Sequence, residues 1–196
     1  MTPPRRARCV RCLRAASACI CRWIAPPLAH ATSVLILQHP LEVANAKGSA
    51  RLLHLGLPGS VMLTGESFDP ARLETVLAEG GRMPVLLYPE TPGLAAPPMP
   101  PLPPAAMRLV VLDGTWRKSR KMLHLNALLQ ALPRLALRAM PASHYRIRKA
   151  HAPDQLSTLE AACYALQQIE DAKVQPILDG FDGFVAQQAA YARGLK

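Results

Sequence analysis

The sequence predicts an α/β fold, a mainly parallel sheet flanked by helices. Two observations carry that expectation. Short continuous apolar runs, the pattern of strands buried on both faces, recur along the chain. Amphipathic stretches of helical period separate them, which is the alternation of a parallel sheet with crossover helices. With 196 residues, 50% of them hydrophobic, one such domain with its own core is the natural size.

Residues 1–25 read as an appendage, basic, cysteine-rich and too short for an apolar core; residues 26–196 read as the main domain. Ser33–Gln38 is the first strand, ended by His39-Pro40. A helix is expected from Glu42 to Leu55, with Val43, Leu52, Leu53 and Leu55 on its apolar face. Ser60–Thr64 is a second, short strand. Asp69-Pro70 opens a helix to about Glu79, with Pro70 at the first position, where a missing N–H costs nothing. Met83–Tyr88 is a third strand, and Pro89–Pro104 a proline-rich surface loop or lid without periodicity. Arg108–Asp113 is the clearest strand of all. A helix follows from Trp116 to about Leu132, then a short strand over Leu135–Ala139 and a polar, irregular stretch over 141–155. Helices over Ser157–Ala172 and Val174–Ala190 finish the chain.

The formal net charge is +10, which favours a polyanionic partner, nucleic acid first. No apolar run approaches the roughly 18 residues that span a bilayer. No apolar signal region follows the basic Met1–Arg8, so a cytoplasmic location is expected. Cys9, Cys12, Cys19 and Cys21 have the spacing C-x2-C-x6-C-x-C. Four thiolates so close can close a tetrahedral zinc site, and full occupancy by sulfur points to structure rather than catalysis. Unligated thiols, a redox pair at Cys9 and Cys12, or iron–sulfur ligation are the alternatives. The flanking Arg5, Arg6, Arg8, Arg11, Arg14 and Arg22 suggest contact with RNA phosphates, against the simpler reading of a solvated basic terminus. Cys163 sits among Ala and Leu and reads as a small core hydrophobe.

Asp113 lies at the C-terminal edge of a buried strand, where open α/β sheets bind ligands. Gly114 permits a close turn, and Thr115 or Asp113 can cap the next helix. Alone, this favours a helix cap with Trp116 as a core anchor. Arg117, Lys118, Arg120 and Lys121 change the balance, because cations at a helix N-terminus oppose the macrodipole and point to an anionic partner. Tyr145-Arg146-Ile147-Arg148-Lys149 interleaves cations with Tyr and Ile; it suits a nucleic-acid groove, a carboxylate, or a charged edge strand. Ser157-Thr158-Leu159-Glu160 fits a capping box, and its hydroxyls also make an anion site. His39 and Glu42 sit just after the first strand.

Together these residues resemble the DTW-domain family, the tRNA-uridine aminocarboxypropyltransferases. The resemblance runs through the cysteine cluster, His39-Pro40-Leu41-Glu42, Asp113-Gly114-Thr115-Trp116, Tyr145–Lys149 and Leu156-Ser157-Thr158-Leu159-Glu160-Ala161. Gly48-Ser49-Ala50 departs from the Asn-Thr-Gly of many relatives. The resemblance implies a SPOUT-like fold with a knotted C-terminal region. It also implies transfer of the 3-amino-3-carboxypropyl group of S-adenosylmethionine to N3 of a tRNA uridine, with 5′-methylthioadenosine released. Catalysis is then expected at Asp113, Thr115 and Trp116. The donor is expected against Tyr88, Pro89, Asp113, Gly114, Thr115, Tyr145, Arg146, Arg148, Leu156, Ser157, Thr158 and Glu160. Structural zinc falls to the four cysteines, and tRNA to Arg117, Lys118, Arg120, Lys121, His39 and Glu42.

The sulfonium is already an activated leaving group, so no catalytic metal is required. Regiochemistry is an orientation effect. The uracil N3–H must lose its proton, so Asp113 is the expected base or orienting group, with a pKa raised by burial or a neighbour. A monomer is expected. Two rivals stand beside this reading: a SPOUT-like methyltransferase using the same donor but attacking its methyl carbon, and a non-catalytic zinc-stabilised RNA-binding protein, which explains the charge and the cysteines but not the Gly turn with a hydroxyl-rich helix start.

Overall fold

The computed structural model describes residues 7–91, 96–145 and 156–194. Its strands are β1 (Ser33–Gln38), β2 (Val61–Thr64), β3 (Met83–Leu87), β4 (Met107–Asp113) and β5 (Arg134–Leu135). Its helices are α1 (Ala50–Gly56), α2 (Pro70–Ala78), α3 (Trp116–Leu125), α4 (Ala127–Gln130), α5 (Thr158–Glu170) and α6 (Gln175–Ala192). All five strands are parallel, in the order β2-β1-β4-β3-β5.

The apolar runs are continuous because both faces of the sheet are covered. Val34, Ile36, Leu109 and Val111 pack with α1, α5 and α6. Leu35, Leu37, Val110 and Leu112 pack with α2, α3 and α4 on the other face. Among the described residues, no helix is long and apolar enough to cross a membrane.

Three expected elements are shorter than the periodicity implies. The helix expected from Glu42 starts only at Ala50. Before it, Pro40–Glu42 forms a 3-10 turn capped by the His39 ring, and the Asn45 carboxamide accepts from the Lys47 amide at 3.0 Å. Such side-chain bonds to backbone compete with helix, and Val43 is left exposed. The helix expected to reach Leu132 breaks at Asn126. That buried side chain donates to the Met122 and Glu66 carbonyls and accepts from the Phe68 amide at 2.9 Å, which ties the end of α3 to the 66–68 loop. The last strand pairs only over Arg134–Leu135.

The N-terminal segment turns on an antiparallel bridge between Arg8 and Ala15. Cys12 and Ile20 are fully buried and continuous with the α5–α6 core. Trp23 lies in a cleft of α6 made by two glycines: a Cβ at Gly180 would overlap the Trp23 carbonyl, and one at Gly183 its indole. The indole N–H donates to Gln187, whose amide donates on to the Cys19 carbonyl at 3.2 Å. The Tyr191 hydroxyl donates to the Ser17 carbonyl at 2.7 Å. Gly183→Ala is therefore expected to cost about 1–3 kcal/mol through overpacking, read by equilibrium denaturation; an unchanged midpoint would show that the indole is not confined there.

Candidate active site at the β1–β4 edge

The chain leaves β1 towards β2 on one side and leaves β4 towards β5 on the other. The adjacent C-terminal ends of β1 and β4 are thus a topological switch point, where an open parallel sheet offers a crevice. Asp113 ends β4 there, in register with Gln38. Its carboxylate is 5% exposed. One oxygen accepts from the Gln38 carboxamide at 2.9 Å and the other from the Thr158 hydroxyl at 2.7 Å. The side chain is therefore oriented by the neighbouring strand and by the N-terminus of α5.

Asp113 is not the helix cap. Thr115 takes that role, its hydroxyl accepting from the Lys118 amide at 3.4 Å. Gly114 passes close to α3: an added Cβ would stand 3.1 Å from the Lys118 Cβ and 3.4 Å from the Ser119 Oγ. Trp116 opens α3 and is 49% exposed, so it is no core anchor. It meets the edge of Tyr88, with centroids 5.9 Å apart and planes at 76°. Burial raises the Tyr88 pKa. The Arg134 guanidinium lies over the Tyr88 ring at 5.6 Å, and its three nitrogens are buried without a hydrogen-bond partner among the described residues. Pro89, next to Tyr88, is exposed.

The cations of α3 divide into two pairs. Lys118 binds the buried Glu42 at 2.7 Å, and Lys121 binds Glu66 at 2.8 Å. Glu66 also accepts from His39 Nε2 at 2.8 Å. Because His39 Nδ1 accepts from the Leu41 amide, the ring proton belongs on Nε2. Lys121 first, and then His39, hold the Glu66 carboxyl below its usual range. The stability contributed by that frame is complete above the ordinary carboxylate pKa and is lost as pH falls through the lowered one. Arg117 and Arg120 are exposed.

At α5 the capping box is closed in both directions: the Glu160 amide donates to Ser157 Oγ at 3.2 Å, and the Ser157 amide to Glu160 Oε2 at 2.7 Å. The same carboxylate accepts from the Ser143 hydroxyl at 2.8 Å and the His144 amide at 2.7 Å. Glu160, 1% exposed, therefore holds the segment leading to Tyr145. Tyr145 is buried against Phe181, centroids 5.4 Å apart, and its hydroxyl donates to the Lys47 carbonyl. Leu156 is half-buried at the start of this turn. Arg146 and Arg148, with Ile147 and Lys149, lie outside the described residues.

The structure thus gathers Asp113, Thr115, Trp116, Tyr88, Thr158 and the α3 cations around one sheet edge. It puts Glu160 and Tyr145 behind that edge, in buried polar and aromatic contacts. Gln38 and Glu66 were not singled out from the sequence. A glutamine closing an otherwise apolar strand was the available signal for the first; the second had none.

The four clustered thiols stand apart from this edge. Their sulfurs all lie within 4.8 Å of one another, with Cys9–Cys21 at 3.6 Å and Cys12–Cys19 at 3.7 Å. A tetrahedron with Zn–S bonds of about 2.3 Å has edges of about 3.8 Å, so this set can hold such a metal. The Cys12 and Arg11 amides and the Cys21 thiol lower Cys9 to about 6, while burial first, and the neighbouring thiols, push Cys21 up to about 12.

The DTW domain model matches residues 6–189. The tRNA-uridine aminocarboxypropyltransferase 2 of Drosophila melanogaster is 33% identical over 177 residues, 86% of this chain and 68% of that protein. The proteins of the same name from Mus musculus and Macaca fascicularis are 30% and 31% identical, each over 85% of this chain and 57% of their own length. No solved structure matches the chain significantly. A family match over nearly the whole sequence, with the name-giving turn at the sheet's switch point, shows that the chain belongs to the DTW-domain family.

Proposed function

We propose that this chain is a tRNA-uridine aminocarboxypropyltransferase, moving the 3-amino-3-carboxypropyl group of S-adenosylmethionine to N3 of a tRNA uridine. The observation that carries the reading is the Asp113 carboxylate, fixed by Gln38 and Thr158 at the switch point beside a half-exposed Trp116. When bound, the donor supplies a carbon activated by its sulfonium leaving group. Asp113 receives the N3 proton as the N3–carbon bond forms and the carbon–sulfur bond breaks, its electron pair staying on sulfur in 5′-methylthioadenosine. Trp116, at the start of α3 and set against the edge of Tyr88, offers a stacking face to the extruded uracil. Arg117 and Arg120 meet phosphates, while the Lys118–Glu42 pair and the contacts of Lys121 and His39 with Glu66 keep the surface around them in shape.

The donor fits the edge between Tyr88, Pro89, Gly114 and the Leu156–Thr158 turn. Beside Tyr88, the buried Arg134 nitrogens have no acceptor among the described residues, and a carboxylate-bearing donor would bring one. Arg146, Arg148, Ser157 and Thr158 are the other candidates for that carboxylate. The cysteines would hold zinc in a purely structural role, as they leave no open position. This set of thiols suits a reducing cytoplasm. A SPOUT-like knotted path and a monomeric state belong to the same reading.

Mass spectrometry of tRNA nucleosides after incubation with donor tests the proposal. An added aminocarboxypropyl mass on uridine, with 5′-methylthioadenosine in the supernatant, is expected. Methylated nucleoside with S-adenosylhomocysteine would overturn it, as would tRNA binding without any transfer.

A further inference from the structure

We infer that Arg14 is a positioning residue through which the cysteine knuckle sets the geometry of the β1–β4 edge; the catalytic part of this inference rests on the function proposed above. Arg14 follows the first two cysteines in the chain, and its side chain reaches residues 46–48. One guanidinium nitrogen donates to the Ala46 carbonyl and the other to the Gly48 carbonyl at 2.7 Å. Its Cζ lies 5.0 Å from the centre of the Phe184 ring, so it also rests against α6. Arg51 adds a return contact, donating to the Arg11 carbonyl at 2.6 Å.

The segment so gripped, residues 42–49, touches both helix starts of the site. Glu42 holds Lys118 in the first turn of α3. Ser49 Oγ accepts from the Leu159 amide at 3.3 Å in the first turn of α5, next to the threonine that orients Asp113. Tyr145 closes the third side by donating to the Lys47 carbonyl. Between the 3-10 turn that ends at Glu42 and the start of α1 the segment holds only short turns, closed by the Asn45 amide on the Glu42 carbonyl at 3.0 Å and the Gly48 amide on the Asn45 carbonyl at 2.9 Å, so external contacts fix where those turns sit. A half-buried guanidinium bonded to two carbonyls is a rigid fork. A lysine in its place offers a single nitrogen, without the fixed spacing of the two guanidinium nitrogens.

Metal in the knuckle would fix the Arg14 backbone and hence the fork. Coupling of this kind is reciprocal and measurable as non-additivity. Arg14→Gln and Arg14→Lys are compared with the native chain in the metal-loaded protein and after chelation. Four readings are taken: bound metal by elemental analysis, amide hydrogen exchange over residues 42–49, donor affinity by calorimetry, and turnover per donor-binding site. Arg14→Gln is expected to keep its metal and bind donor within about twofold, yet lose protection over 42–49. Its turnover should fall about ten- to hundredfold, the scale of a small misplacement of reacting groups. Arg14→Lys should recover part of both. Chelation should reproduce the loss in the native chain and add little to it in Arg14→Gln. Native protection over 42–49 in Arg14→Gln, loss of metal by that variant, or full additivity with chelation would each overturn the inference. Absence of transfer by the native chain would instead sink the function proposed above, and the exchange readings would still decide whether the fork acts on 42–49.

Discussion

Asp113→Asn is expected to lower the transfer rate by about 10²–10⁴-fold, the range of a lost general base, while the fold stays intact. The amide is isosteric with the carboxylate. Its oxygen can keep one of the two donors, and the Thr158 hydroxyl can reverse to accept from the new N–H. The structural cost is therefore about one neutral hydrogen bond, on the order of 1 kcal/mol. The two effects separate cleanly in single-turnover kinetics with saturating donor and tRNA, set beside a denaturation curve. A variant that binds both partners normally and transfers at near-native rate would remove Asp113 from the chemistry. Gln38→Leu is a milder companion. It frees one side of the carboxylate without removing the acid, so a smaller loss in the same assay is expected.

The largest effect on stability is expected at Glu160. Its carboxylate is buried and takes hydrogen bonds from the Ser157 and His144 amides and the Ser143 hydroxyl. Glu160→Gln replaces one oxygen by an N–H group that faces other donors. Each bond to a buried charge is worth about 1.5–3 kcal/mol, so a loss of about 3 kcal/mol is expected. For a domain of this size that is roughly 6–12 °C in Tm. A midpoint within 1 °C of native would mean that solvent, not this carboxylate, satisfies the donors. The variant should also loosen residues 143–145, which lead into the Tyr145 contact with Lys47.

How much of this was legible differs from element to element. The central strands were, because six or seven successive buried residues leave an unbroken apolar run. The capping box was, because its two partners sit three residues apart and interact locally. The helix starting at Ala50 was overextended by eight residues, since the Asn45 side-chain turn cancels a helix that apolar spacing alone still permits. The break at Asn126 was invisible for a different reason: its partners Glu66 and Phe68 are about sixty positions away. The same limit governs the site. That Asp113 ends a buried strand is local information. That Gln38 and Thr158 grip its two oxygens is a product of strand order and of where α5 begins. The excess charge on α3 pointed to a polyanion, yet half of it is answered inside the chain by Glu42 and Glu66, residues 76 and 55 positions from their partners.

The glycine cleft that receives Trp23 has a spectroscopic consequence. The chain has two tryptophans. One is wedged against α6 with its indole N–H bonded to Gln187; the other stands half in water at the mouth of the sheet. Their emission should differ in colour and in access to a dissolved quencher such as iodide. The blue-shifted, protected component then reports whether the N-terminal knuckle is seated on α6. The red-shifted, quenchable one reports what lies on the Trp116 ring, so a single fluorescence trace follows both ends of the molecule at once.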